Sequence, residues 1–296
     1  MRKAITEVRK LIAFLYRRYS WLRQLDHFRT SIWGLKQNLI FRYPHRIVFI
    51  AGMAKSGSSW VQRMLLNIPG YQRSPIVDRS NITQGKVWDE SYFTNIPKFG
   101  YYVLKTHAKA STELLTNIRE MNLLTIVTYR DLRDQSVSRY YHQLVDPNQV
   151  FYKMYNELPE NEAFSHSVDL TLDYYLPWIE DWLKVIKKNP DQFLLFSYED
   201  LLDDPESIFR KILRFYNIDL SNQQIKEALV VADAMSRGGV DTLAERIQLG
   251  GGANFRGGRK GDWRSHFSER DVEVFKKRAG EHLIRLGYEK DMNWGI

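Results

Sequence analysis

The stretch from Arg46 to Ile68, RIVFIAGMAKSGSSWVQRMLLNI, constrains the fold more than any other part of the chain. RIVFIAG is short and almost wholly apolar, as expected of a strand buried on both faces, and SSWVQRMLLNI has helical spacing. Between them lies a glycine-containing turn. Such a turn aims backbone N–H groups and the positive end of a helix dipole at one point, which makes a cradle for phosphate. Gly52 and Gly57 have the spacing of the common nucleotide loop G-x-x-x-x-G-K-[ST], yet Ser58 stands where its lysine belongs and the lysine sits inside the loop, at Lys55. An ordinary strand-to-helix turn with Ser58 as helix cap is the structural alternative.

Three further apolar runs read as strands: YYVLKT (101–106), LLTIVTY (123–129) and QFLLFSY (192–198). Helical patterns cover 131–144, 170–188 with a kink at Pro177, and 205–216. This alternation predicts an α/β fold: one domain over 46–296, with a central parallel sheet flanked by helices in the manner of P-loop NTPases. Ligands of such sheets bind beyond the carboxyl ends of the strands. The residues there read Lys55-Ser56-Gly57, Lys105-Thr106-His107, Arg130-Asp131 and Tyr198-Glu199-Asp200. Three cations at one rim predict an anionic ligand.

Charge separates this body from what precedes it. Residues 1–46 hold eleven Lys and Arg against Glu7 and Asp26, a balance of +9, so the net charge of +8 leaves about −1 for everything after Arg46. The body is close to neutral, which argues against a nucleic-acid partner. Within the arm (1–45), Ile5, Val8, Ile12, Leu15, Tyr19 and Leu22 recur every three or four residues. They predict a basic amphipathic helix that packs on its own domain or makes a peripheral contact, through residues 1–25, with a membrane or a partner. No apolar run approaches the ~20 residues that span a bilayer. LIAFLY (11–16) runs into Arg17 and Arg18, a poor signal-peptide core. The chain has no cysteine, which excludes disulfides, thiolate metal sites and a cysteine nucleophile and suits a cytoplasmic location.

Lys55-Ser56-Gly57-Ser58-Ser59-Trp60 resembles the K-S-G-[ST]-[ST]-W loop of the sulfotransferases that use 3′-phosphoadenosine 5′-phosphosulfate (PAPS) and release PAP. Arg130 and Ser138 are similar to that family's R-x-x-x-x-x-x-x-S element, Lys105-Thr106-His107 to its K-T-H, and Tyr198 to the tyrosine of its Y-E-D-L segment. FRGGRKGDWRSHF (255–267) resembles its C-terminal R-K-G-x-x-G-D-W, with Arg256 and Gly258 matched and Gly257 in place of the lysine. Ala54 replaces the proline usual before Lys55.

The resemblance implies a transferase that moves a sulfuryl group from PAPS to an acceptor hydroxyl or amine without a metal. In it, Ser56, Gly57, Ser58 and Ser59 hold the 5′-phosphate, and Arg130, Ser138, Arg256, Gly257 and Gly258 form the 3′-phosphate site. Trp60 and Tyr198 contact the adenine. Lys55 stabilises the leaving oxygen, Lys105 neutralises the sulfuryl group, and His107 is the base, with Glu90 as an outside candidate. The acceptor is a small molecule, lipid or glycan, bound by loops at 70–100, 145–168 and 232–252. Two alternatives are a Mg-dependent P-loop NTPase or kinase, with Glu199 or Asp200 as its acid, and a non-catalytic membrane- or partner-docking module.

Overall fold

The computed structural model describes residues 32–74, 93, 96–145, 147, 149–236 and 258–295. In chain order these form helix α1 (32–40), strand β1 (Ile47–Gly52), α2 (Ser58–Leu66), β2 (Tyr71–Arg73), β3 (Tyr101–Thr106), α3 (Thr112–Glu120), β4 (Thr125–Tyr129), α4 (Leu132–Val145), α5 (Tyr152–Glu157) and α6 (Glu160–Leu170). A π-helical turn (Thr171–Tyr175) leads into α7 (Leu176–Lys188), followed by β5 (Phe193–Ser197), α8 (Tyr198–Asp203), α9 (Pro205–Phe215), α10 (Asn222–Ser236) and α11 (Glu269–Arg285).

The five strands form one sheet in the order β2-β3-β1-β4-β5, and every pairing is parallel. Strand β1 lies in the middle because its residues can be buried on both sides. Phe49 and Ala51 enter a core on one face with Trp178, Trp182 and Trp263, while Val48 and Ile50 enter a core on the other with Val61, Phe209 and Ile212. This two-sided burial of alternate residues is what a continuous apolar run predicts for a parallel sheet covered on both faces. The chain leaves β1 for β2 and β3 on one side and returns to β4 on the other. The carboxyl ends of β1, β3 and β4 therefore flank the point where the topology switches, the usual crevice for a ligand.

Four strands and the helices at 58–66, 132–145 and 205–215 match the sequence reading closely. Three features differ. The irregularity expected at Pro177 lies just upstream, in the π turn, because proline is accommodated in the first turn of α7, where its missing N–H has no partner to lose. The expected acceptor loop at 145–168 is largely helical, in α5 and α6, and α10 extends to Ser236 into the expected loop at 232–252. The N-cap position of helix α2 is held by Gly57, not Ser58, so the helix start has no side-chain cap.

The amphipathic segment 5–22 lies outside the described residues. Packing on the body begins before residue 46: a side chain at Gly34 would collide with the Phe99 carbonyl at 2.3 Å, and Tyr43 packs against the rings of Tyr71 and Tyr101. Helix α1 thus lies near the start of β3, at the opposite end of the sheet from the crevice. Among the described residues, no helix is long and apolar enough to cross a membrane.

Candidate active site

The loop between β1 and α2 is held in a conformation that only part of its sequence favours. Gly57 has φ 77°, and a Cβ there would lie 2.8 Å from the Tyr198 ring, so glycine is needed for both backbone and space. Lys55 has φ 70°, a left-handed conformation that costs a non-glycine residue roughly 1–2 kcal/mol. Such strain persists only where surrounding bonds hold it, and it concentrates at functional sites.

Those bonds are present. The Ser56 hydroxyl is fully buried, donates to the Met53 carbonyl at 2.6 Å and lies 2.7 Å from the Thr128 hydroxyl on β4. Gln135 Nε2 donates to the Ala54 carbonyl at 3.2 Å. The Ser56 hydroxyl therefore fastens the loop to the sheet. Ser58 is buried and Ser59 half-buried at the start of α2, which has no side-chain cap. The first N–H groups of that helix keep the donor capacity that an anion uses.

Strand β3 runs beside β1 with Ile50 opposite Lys105 and Ala51 opposite Thr106. This register brings the strand ends together. Lys105 Nζ donates to Ser59 Oγ at 2.8 Å, across the loop. His107 Nδ1 lies 2.6 Å from the Gly52 carbonyl. A carbonyl only accepts, so this bond puts the proton on Nδ1 and makes Nε2 the basic nitrogen of the neutral ring. Trp178 at the start of α7 donates to the carbonyls of His107 and Ala108, at 3.1 and 2.8 Å, and holds the backbone beyond the strand. Lys55, Lys105 and His107 thus come from adjacent strand ends.

Arg130 follows β4 and is nearly buried, at 8% exposure. Its Nη2 donates to the Arg259 carbonyl at 2.9 Å, and its guanidinium stacks 4.5 Å from the centre of the Tyr198 ring. The same ring sits against Gly57, so the phosphate loop, Tyr198 and Arg130 form one continuous wall. Between Asp131 and Tyr140 every residue is buried except Ser138, which is half-buried. Trp60 is half-buried, and its indole N–H is enclosed without a hydrogen-bond acceptor among the described residues.

Two carboxylates organise this wall: Asp134, which the sequence reading did not single out, and Glu199, which it offered only as the acid of an NTPase. Asp134 accepts N–H bonds from Gly261 and Trp263, at 2.8 and 3.0 Å, and lies 3.6 Å from Arg130 Nη2. Glu199 lies 3.9 Å from Arg130 Nε and accepts from the Tyr288 hydroxyl at 2.8 Å. Burial raises both carboxyl pKa values, and the Arg130 charge opposes the rise in each. Asp134 thereby fixes the start of the C-terminal segment, where Gly258 and Gly261 have φ 59° and 69°. The Lys260 ammonium is paired with Asp203. Arg256, Gly257 and Glu90 lie outside the described residues. The pattern that would have revealed Asp134 is its place one helical turn after Arg130, where it shares the guanidinium's face.

The family model of the sulfotransferase domain matches residues 45–287. The chain belongs to that family. Over 266 residues this sulfotransferase is 24% identical to flavonol 3-sulfotransferase of Flaveria bidentis, covering 81% of this chain and 82% of that one. It is 21% identical to sulfotransferase 1C2 of Rattus norvegicus, covering 79% and 83%. Its fold is that of the mouse sulfotransferase SULT7A1 solved with PAP, with a TM-score of 0.62 at 20% identity over 86% of this chain and 88% of the other. Among the described residues of this sulfotransferase, no three histidine or carboxylate side chains are arranged to hold a metal ion.

Proposed function

We infer that this sulfotransferase moves a sulfuryl group from PAPS to a hydroxyl or amine of a small organic acceptor, with Lys55, Lys105 and His107 as the reacting centre. The observation that carries this reading is the convergence of those three residues beside an uncapped helix N-terminus. The family supplies the reaction class. The solved relative with PAP bound and the flavonol-sulfating relative support the donor and a hydroxylated acceptor.

The residues present suit such a donor. The uncapped start of α2 is a site for a 5′-phosphate. Arg130, on the wall that continues from it through Tyr198, and Ser138, eight residues on, suit a second phosphate, and Arg130 Nε has no hydrogen-bond acceptor among the described residues. Tyr198 and Trp60 border the space between. PAPS, when bound, supplies the sulfuryl group as a phosphosulfate whose bridging oxygen gains negative charge as the S–O bond opens.

Each residue then has a definite task. His107 Nε2 removes the acceptor proton while the acceptor oxygen forms its bond to sulfur, and Nδ1 keeps its own proton on the Gly52 carbonyl. Lys55 sits in the loop beside the departing phosphate oxygen, where a cation is worth more in the transition state than in the ground state. Lys105 offsets the charge of the moving group, and its hold on Ser59 keeps the ammonium at the loop. A screen of hydroxyl- and amine-bearing acceptors with labelled PAPS tests the reading. Label is expected in the acceptor with one PAP released per transfer. Release of label as free sulfate alone, with every acceptor inert, would contradict it.

A further inference from the structure

The buried residues that this reaction leaves unused include one cation with no visible counter-charge. Arg139 is 4% exposed on α4, one turn beyond Gln135. Its Nη1 donates to the Tyr175 hydroxyl at 2.6 Å. Its Nε and Nη2 are enclosed and have no hydrogen-bond partner among the described residues. No carboxylate among the described residues forms an ion pair with it. The nearby acids, Asp169 and Asp173, are more than half exposed and paired with Arg278 instead. What surrounds the guanidinium is neutral: Tyr155, its hydroxyl 3.0 Å from His166 Nδ1, and Tyr175. Burial pushes the Tyr155 hydroxyl up to about 12, and burial together with the Arg139 charge holds His166 below the ordinary histidine range. Neither ring supplies an anion near neutral pH.

The position of this cation is informative. Gln135 bonds to the Thr171 hydroxyl and to the Ala54 carbonyl of the phosphate loop. One turn on, Arg139 bonds to Tyr175, which is itself one turn beyond Thr171. Three residues later Trp178 holds the backbone of His107. The Arg139–Tyr175 pair therefore stands in a line of contacts joined at one end to the loop and at the other to the backbone at His107, just beyond β3. Nε and Nη2 form one edge of the planar guanidinium, and that edge matches the two oxygens of a carboxylate. A buried cation with this edge unfilled lacks the partner that ordinarily offsets its desolvation.

We propose that the Nε–Nη2 edge of Arg139 receives a carboxylate carried by the acceptor, so that the preferred acceptors are hydroxylated acids. The proposal rests on the sulfotransferase reading and adds the acceptor's chemical class. The Arg139 nitrogens are closed from solvent, so the side chains around them must part for the acceptor to enter.

The test uses the full chain, PAPS, and hydroxyphenyl carboxylic acids with zero to four methylenes before the carboxyl, each paired with its methyl ester. At the best chain length, kcat/KM is expected to favour the acid by about 10-fold or more, as a charge-assisted bidentate contact implies. Arg139→Met should bring that ratio close to one, mainly through the KM of the acid, with PAP affinity changed by less than about two-fold. Removing an uncompensated buried charge should hold or raise Tm. If the Met variant does not fold, Arg139→Lys keeps the charge without the planar edge and should lose most of the preference. Where turnover is too slow to measure, calorimetric binding of acid and ester to the enzyme–PAP complex reads the same ratio. A ratio near one in the wild type, or one that survives both substitutions, overturns the proposal. Failure of PAP itself to bind would overturn the sulfotransferase reading beneath it.

Discussion

His107→Ala and Lys55→Met are each expected to lower turnover by about 10²-fold or more, because each removes an interaction that strengthens as the S–O bond opens. PAP binding should separate their roles. His107 lies on the strand beside the loop, bonded to the Gly52 carbonyl, and as the base it acts on the acceptor, so its loss should leave PAP affinity within a few-fold. Lys55 lies within the loop, and its replacement should cost affinity as well. Acceptor acidity gives a sharper test. A more acidic hydroxyl needs less help from a base, so its rate should fall less in the His107 variant than that of a weakly acidic alcohol. Near-normal turnover of a weakly acidic alcohol by His107→Ala would remove His107 as the base and turn attention to a carboxylate such as Glu90.

Arg130→Ala is expected to weaken PAP by about 1.5–3 kcal/mol, the worth of a hydrogen bond to a charged group. Adenosine 5′-phosphosulfate, which lacks the 3′-phosphate, should bind almost as before. Calorimetric titration of both ligands measures the difference, and equal losses would contradict the assignment of Arg130 to the 3′-phosphate. Some loss of stability is also expected. Arg130 lies between buried Asp134 and partly buried Glu199, whose carboxyl pKa values are already raised, and its removal leaves them without the nearby cation that opposes that rise. For a carboxyl with a raised folded pKa, the stability contribution is complete below the ordinary carboxylate range and is lost as pH rises through the folded value. The variant should therefore lose more Tm near neutral pH than at mildly acidic pH.

The fold was legible where burial and period agree. The runs at β1, β3, β4 and β5 are apolar because both faces of the sheet are covered, and that pattern marks a strand without reference to its neighbours. Strand β2 is three residues long, too short for any period, and only its pairing with β3 reveals it. The helices at 152–170 were hidden for a different reason. Glu160, Asn161, Glu162 and Ser165 dilute the apolar pattern, and the segment becomes helical by packing Ala163, Phe164 and Val168 into the core.

The site divides along similar lines. Lys55, Lys105, His107 and Arg130 announce themselves because each immediately follows a strand, and sheet topology then brings strand ends together. Asp134 is marked locally only by its place one turn after Arg130, and Glu199 only by its place at a strand end; their roles rest on contacts far apart in sequence, with Trp263 and Tyr288 as partners. Ser56 reads in the motif as one of the phosphate-holding residues, and the contact of its hydroxyl with Thr128 appears only once β4 lies beside β1.

The most direct test of the central claim is calorimetric titration of the full chain with PAP and ATP, each in EDTA and with Mg²⁺. A PAPS-dependent transferase built on Lys55, Arg130 and Ser138 should bind PAP in EDTA, with ATP at least tenfold weaker because it lacks the 3′-phosphate. Tight ATP binding that requires Mg²⁺, with no detectable binding of PAP, would contradict the account.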